Sequence, residues 1–278
     1  MKVVNIKKGL EMNNQRIKNN KPDYGIDAPN VVRNLFAVGI MGLLLLFSII
    51  IKLWSGIIVV GPIAQETILI PMAPTGFCVG VGFISMAIWM LWSSKIGKIR
   101  NREKLLDNIL WKGNETVLDI GCGRGLMLIG AAKRLDKGKA IGIDIWQSED
   151  LSGNNMEATI KNISLENVED RTEVKTADMR QLPFSENTFD VVLSCSAIHN
   201  LYSKTDRAIA ISEIVRVLKP GGQALIDDIR YYNEYKTYFL ENGCKNIKKV
   251  NSLISELFVS LTTMGTIRPV TMIIIKAT

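Results

Sequence analysis

Residues 117–125 read Val-Leu-Asp-Ile-Gly-Cys-Gly-Arg-Gly, and few folds are open to a chain with this segment. Val117 to Ile120 have the apolar, partly β-branched character of a central parallel strand buried on both faces. Gly121, Gly123 and Gly125 break that run with a turn whose main chain a ligand can approach closely. Asp119 stands near the strand's carboxyl end, where ligands bind in open α/β sheets, and a carboxylate buried there needs a partner. A helix is predicted from Leu126 to Leu135.

The glycine spacing separates two cofactors. A dinucleotide site calls for G-x-G-x-x-G, but here the third glycine comes one position early, at Gly125, and position 126 is Leu. The next predicted strand, Lys139 to Asp144, ends in an acid. That carboxylate can accept two hydrogen bonds from a ribose diol, each worth about 1.5–3 kcal/mol. Further on come Ala177-Asp178-Met179, Leu182-Pro183-Phe184, the apolar run Thr188–Ser194, and Leu218–Ile226 with Pro220, Gly221 and Gly222 as breakers.

In this order the segments resemble the motifs of class I S-adenosylmethionine-dependent methyltransferases, closest to the type 11 branch, over roughly 105–278. The resemblance implies an α/β fold with a Rossmann-like, seven-stranded, mostly parallel sheet and helices on both faces. It implies S-adenosyl-L-methionine as cofactor and methyl transfer as the activity. Gly121, Gly123 and Gly125 would form the floor under the methionine and ribose, with Cys122 as a small residue among them. Asp119 would hold the methionine amino group and Asp144 the ribose hydroxyls. Ile145, with Trp146, would pack beside the adenine. Asp178 would accept from the adenine amine, flanked by Ala177 and with Met179 over the ring, and Ser194 and Cys195 would offer main-chain contacts to the methionine tail. His199 falls where the acceptor pocket of such enzymes begins, and is the candidate catalytic residue. It reads either as a proton acceptor for a hydroxyl or as a structural histidine. Asn200 and Tyr202 are secondary candidates for the pocket.

Charge and cysteine usage narrow the partners. The net charge is +7, but residues 1–104 carry 13 Lys+Arg against 5 Asp+Glu, while residues 105–278 carry 21 against 22. The basicity lies outside the glycine-motif region, so no nucleic-acid footprint is expected there. Cys78, Cys122, Cys195 and Cys244 have no metal-site spacing, and His199 is the one histidine. No metal is expected, and scattered thiols suit a reducing compartment.

Leu35–Ile51 is an uncharged apolar run, and with its flanks it reaches the roughly 20 residues that cross a bilayer. Ile68–Trp92 is a second, with a helix expected from Thr75 or Gly76, and Trp54, Trp89 and Trp92 stand at the ends as interfacial aromatics do. These runs predict two transmembrane helices, with 55–75 left as a re-entrant or interfacial link. The domain reading is a polar tail over 1–30, a transmembrane hairpin over 31–94, and a methyltransferase domain over 95–278. Basic residues flank both runs on their outer sides while the link carries only Glu66, which places both termini and the catalytic domain in the cytoplasm. The acceptor is then a small or lipid-like molecule met at the membrane. A cofactor-binding scaffold without turnover is the alternative, and the oligomeric state is open. Arg102–Trp111 is expected as an entry helix, followed by strand 116–120, helix 124–135, strand 139–144, helix 153–166, strand 171–176, strand 189–194, helix 205–217, strand 222–228 and helix 232–242. Val270–Lys276 fits an antiparallel strand inserted beside the fifth.

Overall fold

A computed structural model describes residues 21–63, 66–250 and 269–278, and the chain divides into two compact units. Most of the expected polar tail, up to residue 20, lies outside the described residues.

The smaller unit, Gly25–Lys98 with Ser148–Ser152, contains α1 (Pro29–Ile50), β1 (Ile57–Ile63), β2 (Glu66–Pro71), α2 (Ala73–Trp92) and a π-helical turn at Ser93–Gly97. α2 carries no charged residue, and α1 carries none beyond Arg33 in its first turns. Among their buried residues are Gly39 and Gly42 of α1 and Gly76 and Gly80 of α2. These glycines let the backbones touch: a Cβ on Gly42 would lie 2.5 Å from the Gly80 nitrogen. The opposite faces are open, with Met41 67% and Phe47 58% exposed. Each helix is long and apolar enough to cross a membrane by length and composition. Asp27 closes the unit, accepting from Lys98 Nζ at 3.0 Å and from Ser94 Oγ at 3.1 Å.

The link between the two helices is an antiparallel pair, which the sequence reading left undefined. Ile57 faces Pro71 and Val60 faces Ile68 across it. Ile-Ile-Val-Val and Thr-Ile-Leu-Ile are β-branched runs, and such residues favour strands. The second apolar run is therefore split. Ile68–Pro71 belongs to β2, and the helix starts at Ala73, with Pro74 in the first turn where its missing N–H costs nothing.

The larger unit carries α3 (Lys98–Leu106), β3 (Thr116–Ile120), α4 (Leu126–Ala132), β4 (Lys139–Asp144), α5 (Met156–Leu165), β5 (Thr172–Thr176), β6 (Phe189–Cys195), α6 (Lys204–Val217), β7 (Leu218–Asp228), α7 (Tyr232–Glu241), β8 (Cys244–Lys249) and β9 (Val270–Lys276). Its sheet runs β5-β4-β3-β6-β7-β9-β8. The first five are parallel, while β9 runs antiparallel to both β7 and β8. Two apolar layers cover the sheet. One centres on Leu118, Phe189, Tyr235 and Phe239, the other on Val117, Leu128, Ile129 and Leu193. Chain order reverses between β3 and β6, so the crevice at the carboxyl ends of β3, β4 and β6 is where such a sheet binds ligands.

Several boundaries differ from expectation. The entry helix starts at Lys98 and ends at Leu106, and Trp111 lies beyond it, donating its indole N–H to the Leu106 carbonyl at 2.8 Å. α4 ends at Ala132, three residues early, and α5 begins only at Met156, where Asn155 caps it by accepting from the Ala158 N–H. β7 begins at Leu218, with a register shift that absorbs Pro220 and Gly221. β8 was not foreseen, because Cys-Lys-Asn-Ile-Lys-Lys is too polar to read as a strand, though lysines are common on sheet edges.

Candidate active site

The glycine turn is pinned from three directions. Gly121 and Cys122 donate their N–H groups to the Ile143 carbonyl at 2.9 and 3.0 Å, and the Gly123 N–H donates to Asp144 Oδ2 at 2.8 Å. From α5, Thr159 Oγ1 donates to the Gly123 carbonyl at 2.7 Å and Asn162 Nδ2 to the Arg124 carbonyl at 2.9 Å. Gly121 has φ +70°, and a Cβ there would sit 2.4 Å from the Ala197 side chain. The segment after β6 therefore closes directly over the turn, and only glycine fits beneath it.

Asp119 lies at the bottom of this cradle, 1% exposed, and neither carboxylate oxygen has a hydrogen-bond partner among the described residues. Burial, reinforced by the nearby Asp144 carboxylate and opposed by the Leu128 backbone, pushes it up to about 7. The Ser194 hydroxyl at the end of β6 is likewise buried and unpartnered. Buried polar groups in folded proteins are almost always paired. An orphaned carboxylate at the foot of a glycine turn fits a ligand that carries a cationic amine.

The other expected residues divide. Asp144 is 9% exposed and already committed, since Oδ2 takes the Gly123 N–H and Oδ1 takes the Trp146 N–H at 2.6 Å and Asn154 Nδ2 at 3.3 Å. A carboxylate has about four acceptor positions, so roughly one remains for a ligand hydroxyl. Trp146, at φ +62°, is held by its indole N–H donating to Thr176 Oγ1 at 2.7 Å. Ile145 is half exposed. The Ala177 N–H donates to the Asp144 carbonyl at 3.2 Å, which brings 177–179 alongside β4. Met179 packs against the core. Asp178 is engaged by Arg180, which donates from its N–H and guanidinium at 2.6–3.1 Å and holds the carboxyl below its usual range. Arg180 also reaches Asp206 at 3.0 Å.

Burial raises both thiols of the site. Cys122 is further raised by Asp119, and Cys195 by Asp227, whose Oδ2 lies 3.5 Å from its sulfur. Neither is a nucleophile at neutral pH. Among the described residues no group of acids, cysteines and histidine forms a metal site.

His199 sits in a 3-10 turn, Ile198–Asn200, two residues past the Ala197 that covers Gly121. Its Nδ1 lies 2.5 Å from Asp228 Oδ1, and its backbone N–H donates to Asp228 Oδ2 at 3.1 Å. Asp228 is 3% exposed and takes two more bonds, from the Ile229 N–H at 2.8 Å and the Tyr235 hydroxyl at 3.0 Å. Sequence reasoning missed Asp228. The only signal was an Asp-Asp pair ending β7, and alternation along the strand decides which of the two points toward His199. Its neighbour Asp227 faces Thr271 and Cys195 instead.

Behind this loop, Arg207 of α6 donates to the Leu201 and Tyr202 carbonyls at 2.7 and 3.0 Å, pairs with Glu234 of α7 at 2.7 Å, and stacks 4.0 Å over the Tyr231 ring. Tyr202 is 94% exposed, so it contributes no buried contact to the site.

Comparison with known proteins places this site. Residues 118–226 match the family model described as a methyltransferase domain. The demethylmenaquinone methyltransferase of Lactiplantibacillus plantarum is 34% identical over 123 residues, 44% of this chain and 48% of that protein. The sterol 4-C-methyltransferase strm-1 of Caenorhabditis elegans is 35% identical over 123 residues, 44% of this chain and 33% of that protein. The chain thus spans half or less of the length of these relatives. The crystal structure of the YcgJ protein from Bacillus subtilis shares the fold, with a TM-score of 0.52 at 15% identity over 64% of this chain and 99% of that one. The cradle between β3, β4 and β6 accordingly lies within the stretch that matches the methyltransferase-domain model.

Proposed function

We propose that the full chain is a membrane-anchored methyltransferase that carries a methyl group from S-adenosylmethionine to a small, lipid-like acceptor. The observation that carries the reading is Asp119, a buried carboxylate with no partner at the foot of a glycine turn. When bound, the cofactor supplies an electrophilic methyl on a sulfonium, which is its own leaving group. The chain's residues therefore mainly orient and enclose. Asp119 holds the methionine amine, the Gly121–Gly125 main chain lies under the methionine and ribose, and Asp144 uses its remaining acceptor position on the ribose. Ile145 and Met179 flank the adenine. Asp178, with Ala177 beside it, accepts from the adenine amine once Arg180 shares it with Asp206. Cys122 keeps the turn small, while Ser194 and Cys195 line the methionine end. His199 faces the acceptor.

The anchor rests on the two apolar helices with their open faces. Arg33 near the start of α1 and Lys95, Lys98, Arg100 and Lys104 after α2 set the orientation, with the methyltransferase domain and both termini in the cytoplasm. The acceptor class rests on that anchor and on relatives whose names include a quinone and a sterol. The test uses the full chain in nanodiscs. Titration with S-adenosylhomocysteine should give saturable binding, and deuteromethyl-labelled S-adenosylmethionine incubated with a membrane lipid extract should label a lipid-soluble product. Absence of binding would overturn the cofactor site. Binding without any labelled product would leave a scaffold.

A further inference from the structure

We infer that the acceptor is an ionisable hydroxyl, phenolic or enolic, and that Asp228 is the positioning residue that makes His199 its base. This rests on the methyltransferase reading above. A carboxylate can only accept hydrogen bonds, so the Nδ1 facing Asp228 Oδ1 carries the ring proton and Nε2 carries the lone pair. Nε2 makes no hydrogen bond among the described residues. That bond holds the ring, and the same carboxylate also accepts from the His199 backbone N–H, which keeps the residue against it. Asp228 is in turn held by the Ile229 N–H and the Tyr235 hydroxyl. Four donors converge on it, the full capacity of a carboxylate. Such a relay costs buried polar contacts and serves no packing purpose that an apolar residue would not serve better. Its product is a basic nitrogen of fixed direction beside the loop that roofs the glycine turn.

An amine acceptor, already nucleophilic when neutral, or an isolated alkene has no proton for this nitrogen to take before transfer. A phenol or enol does. His199 Nε2 takes the hydroxyl proton, and the acceptor's electron pair forms the new bond to the methyl carbon. Attack comes from the oxygen or from the ring or vinyl carbon conjugated with it. The C–S bond breaks with its pair remaining on sulfur. For attack from oxygen, one positive charge leaves the sulfonium and one appears on the imidazolium, beside ionised Asp228, so the charge is conserved and compensated where it lands. For attack from carbon, the same balance holds, and the displaced ring or vinyl proton returns to the oxygen when the hydroxyl is restored. The ionisable groups around the pair are Asp227 on β7, Tyr235 and Glu234 on α7, and Arg207 on α6.

The chain's single histidine allows a direct readout. The untagged full chain, labelled with 15N-histidine in nanodiscs, should show one imidazole in the Nδ1–H form at pH 8. Asp228→Asn should shift it toward the other tautomer while S-adenosylhomocysteine binding is unchanged. The labelled product from the lipid extract should derive from a precursor with a phenolic or enolic hydroxyl. Its rate should fall about 100-fold or more in His199→Gln and Asp228→Asn and regain part of the loss in Asp228→Glu. A labelled amine, thiol or unconjugated alkene carbon would overturn the inference and leave methyl transfer standing, as would an Nε2–H imidazole in the wild type. A normal rate in Asp228→Asn would overturn it too. Absence of any labelled product despite the Nδ1–H form would refute methyl transfer itself, and the inference with it.

Discussion

Replacing Asp119 with Asn should stabilise the ligand-free protein and cripple cofactor binding, with opposite signs from one atom pair. The carboxyl ionises near 7 in the fold against an ordinary 3.8. The folded chain therefore holds this proton more tightly than the unfolded one. Its contribution is complete below about pH 4 and is lost as pH rises toward 7. At about 1.4 kcal/mol per tenfold, the loss by pH 8 reaches about 4 kcal/mol at most. More than half of that falls between pH 5 and pH 8, and Asn, neutral throughout, removes it. Melting curves of the full chain in nanodiscs should thus show the Asp119→Asn advantage growing from pH 5 to pH 8. Saturating S-adenosylhomocysteine should reverse the order, because the wild-type carboxylate then meets an amine. Losing a hydrogen bond to a charged group costs about 1.5–3 kcal/mol, or roughly 10- to 150-fold in affinity. Parallel melting curves at every pH, or equal affinities for the two proteins, would refute the placement of an unpartnered carboxylate in the cradle.

Gly121→Ala should abolish S-adenosylhomocysteine binding, since its Cβ would lie 2.4 Å from Ala197 in a backbone region that alanine avoids; calorimetry gives the answer, and wild-type affinity would contradict the close roof. Arg207→Ala strips Glu234 of its partner and releases the Leu201 and Tyr202 carbonyls. A loss of about 3–5 kcal/mol is expected on the precedent of buried pairs, read as a lower melting temperature and faster hydrogen exchange over 199–203. Gly42→Leu should force α1 and α2 apart, visible as longer spin-label distances between the two helices, with cofactor affinity unchanged.

What the sequence disclosed was chiefly its local and periodic content. The β-branched runs at 116–120, 139–144 and 189–195 are strands because they are apolar on both faces, and the glycine breaks put the cradle at their carboxyl ends. The terminal strand, Val270–Lys276, pairs antiparallel with β7 as expected. Less legible were features that depend on partners distant in sequence. Asp144 looked like a ligand residue, yet two of its bonds hold the backbone at Gly123 and Trp146. Asp178 gave no hint of the Arg180 clamp, because a side chain two residues on reveals its direction only in the folded loop. Asp228 became visible once β7 had a register and α7 brought Tyr235 to it. The β1–β2 pair was masked by its composition: a largely apolar stretch with Glu66 as its one charge, beside apolar helices, reads as one more membrane segment until its β-branching is counted.

The short stretch before the first helix has a practical consequence. Asp23 exchanges hydrogen bonds with Asn162, the same side chain that holds the Arg124 carbonyl, and also pairs with Arg124 itself at 3.2 Å. Tyr24 is 4% exposed, donates to Glu166 at 2.9 Å and accepts from Arg102 at 3.4 Å. A water-soluble fragment cut at residue 95, the obvious choice for crystallisation or inhibitor screening, would discard these two residues. It would open a tyrosine-sized gap against α5 and unfasten the cofactor turn from one of its struts. Weak nucleoside affinity in such a fragment would then report the missing tyrosine and aspartate, and a truncation keeping 21–24 by a fused linker is the better starting point.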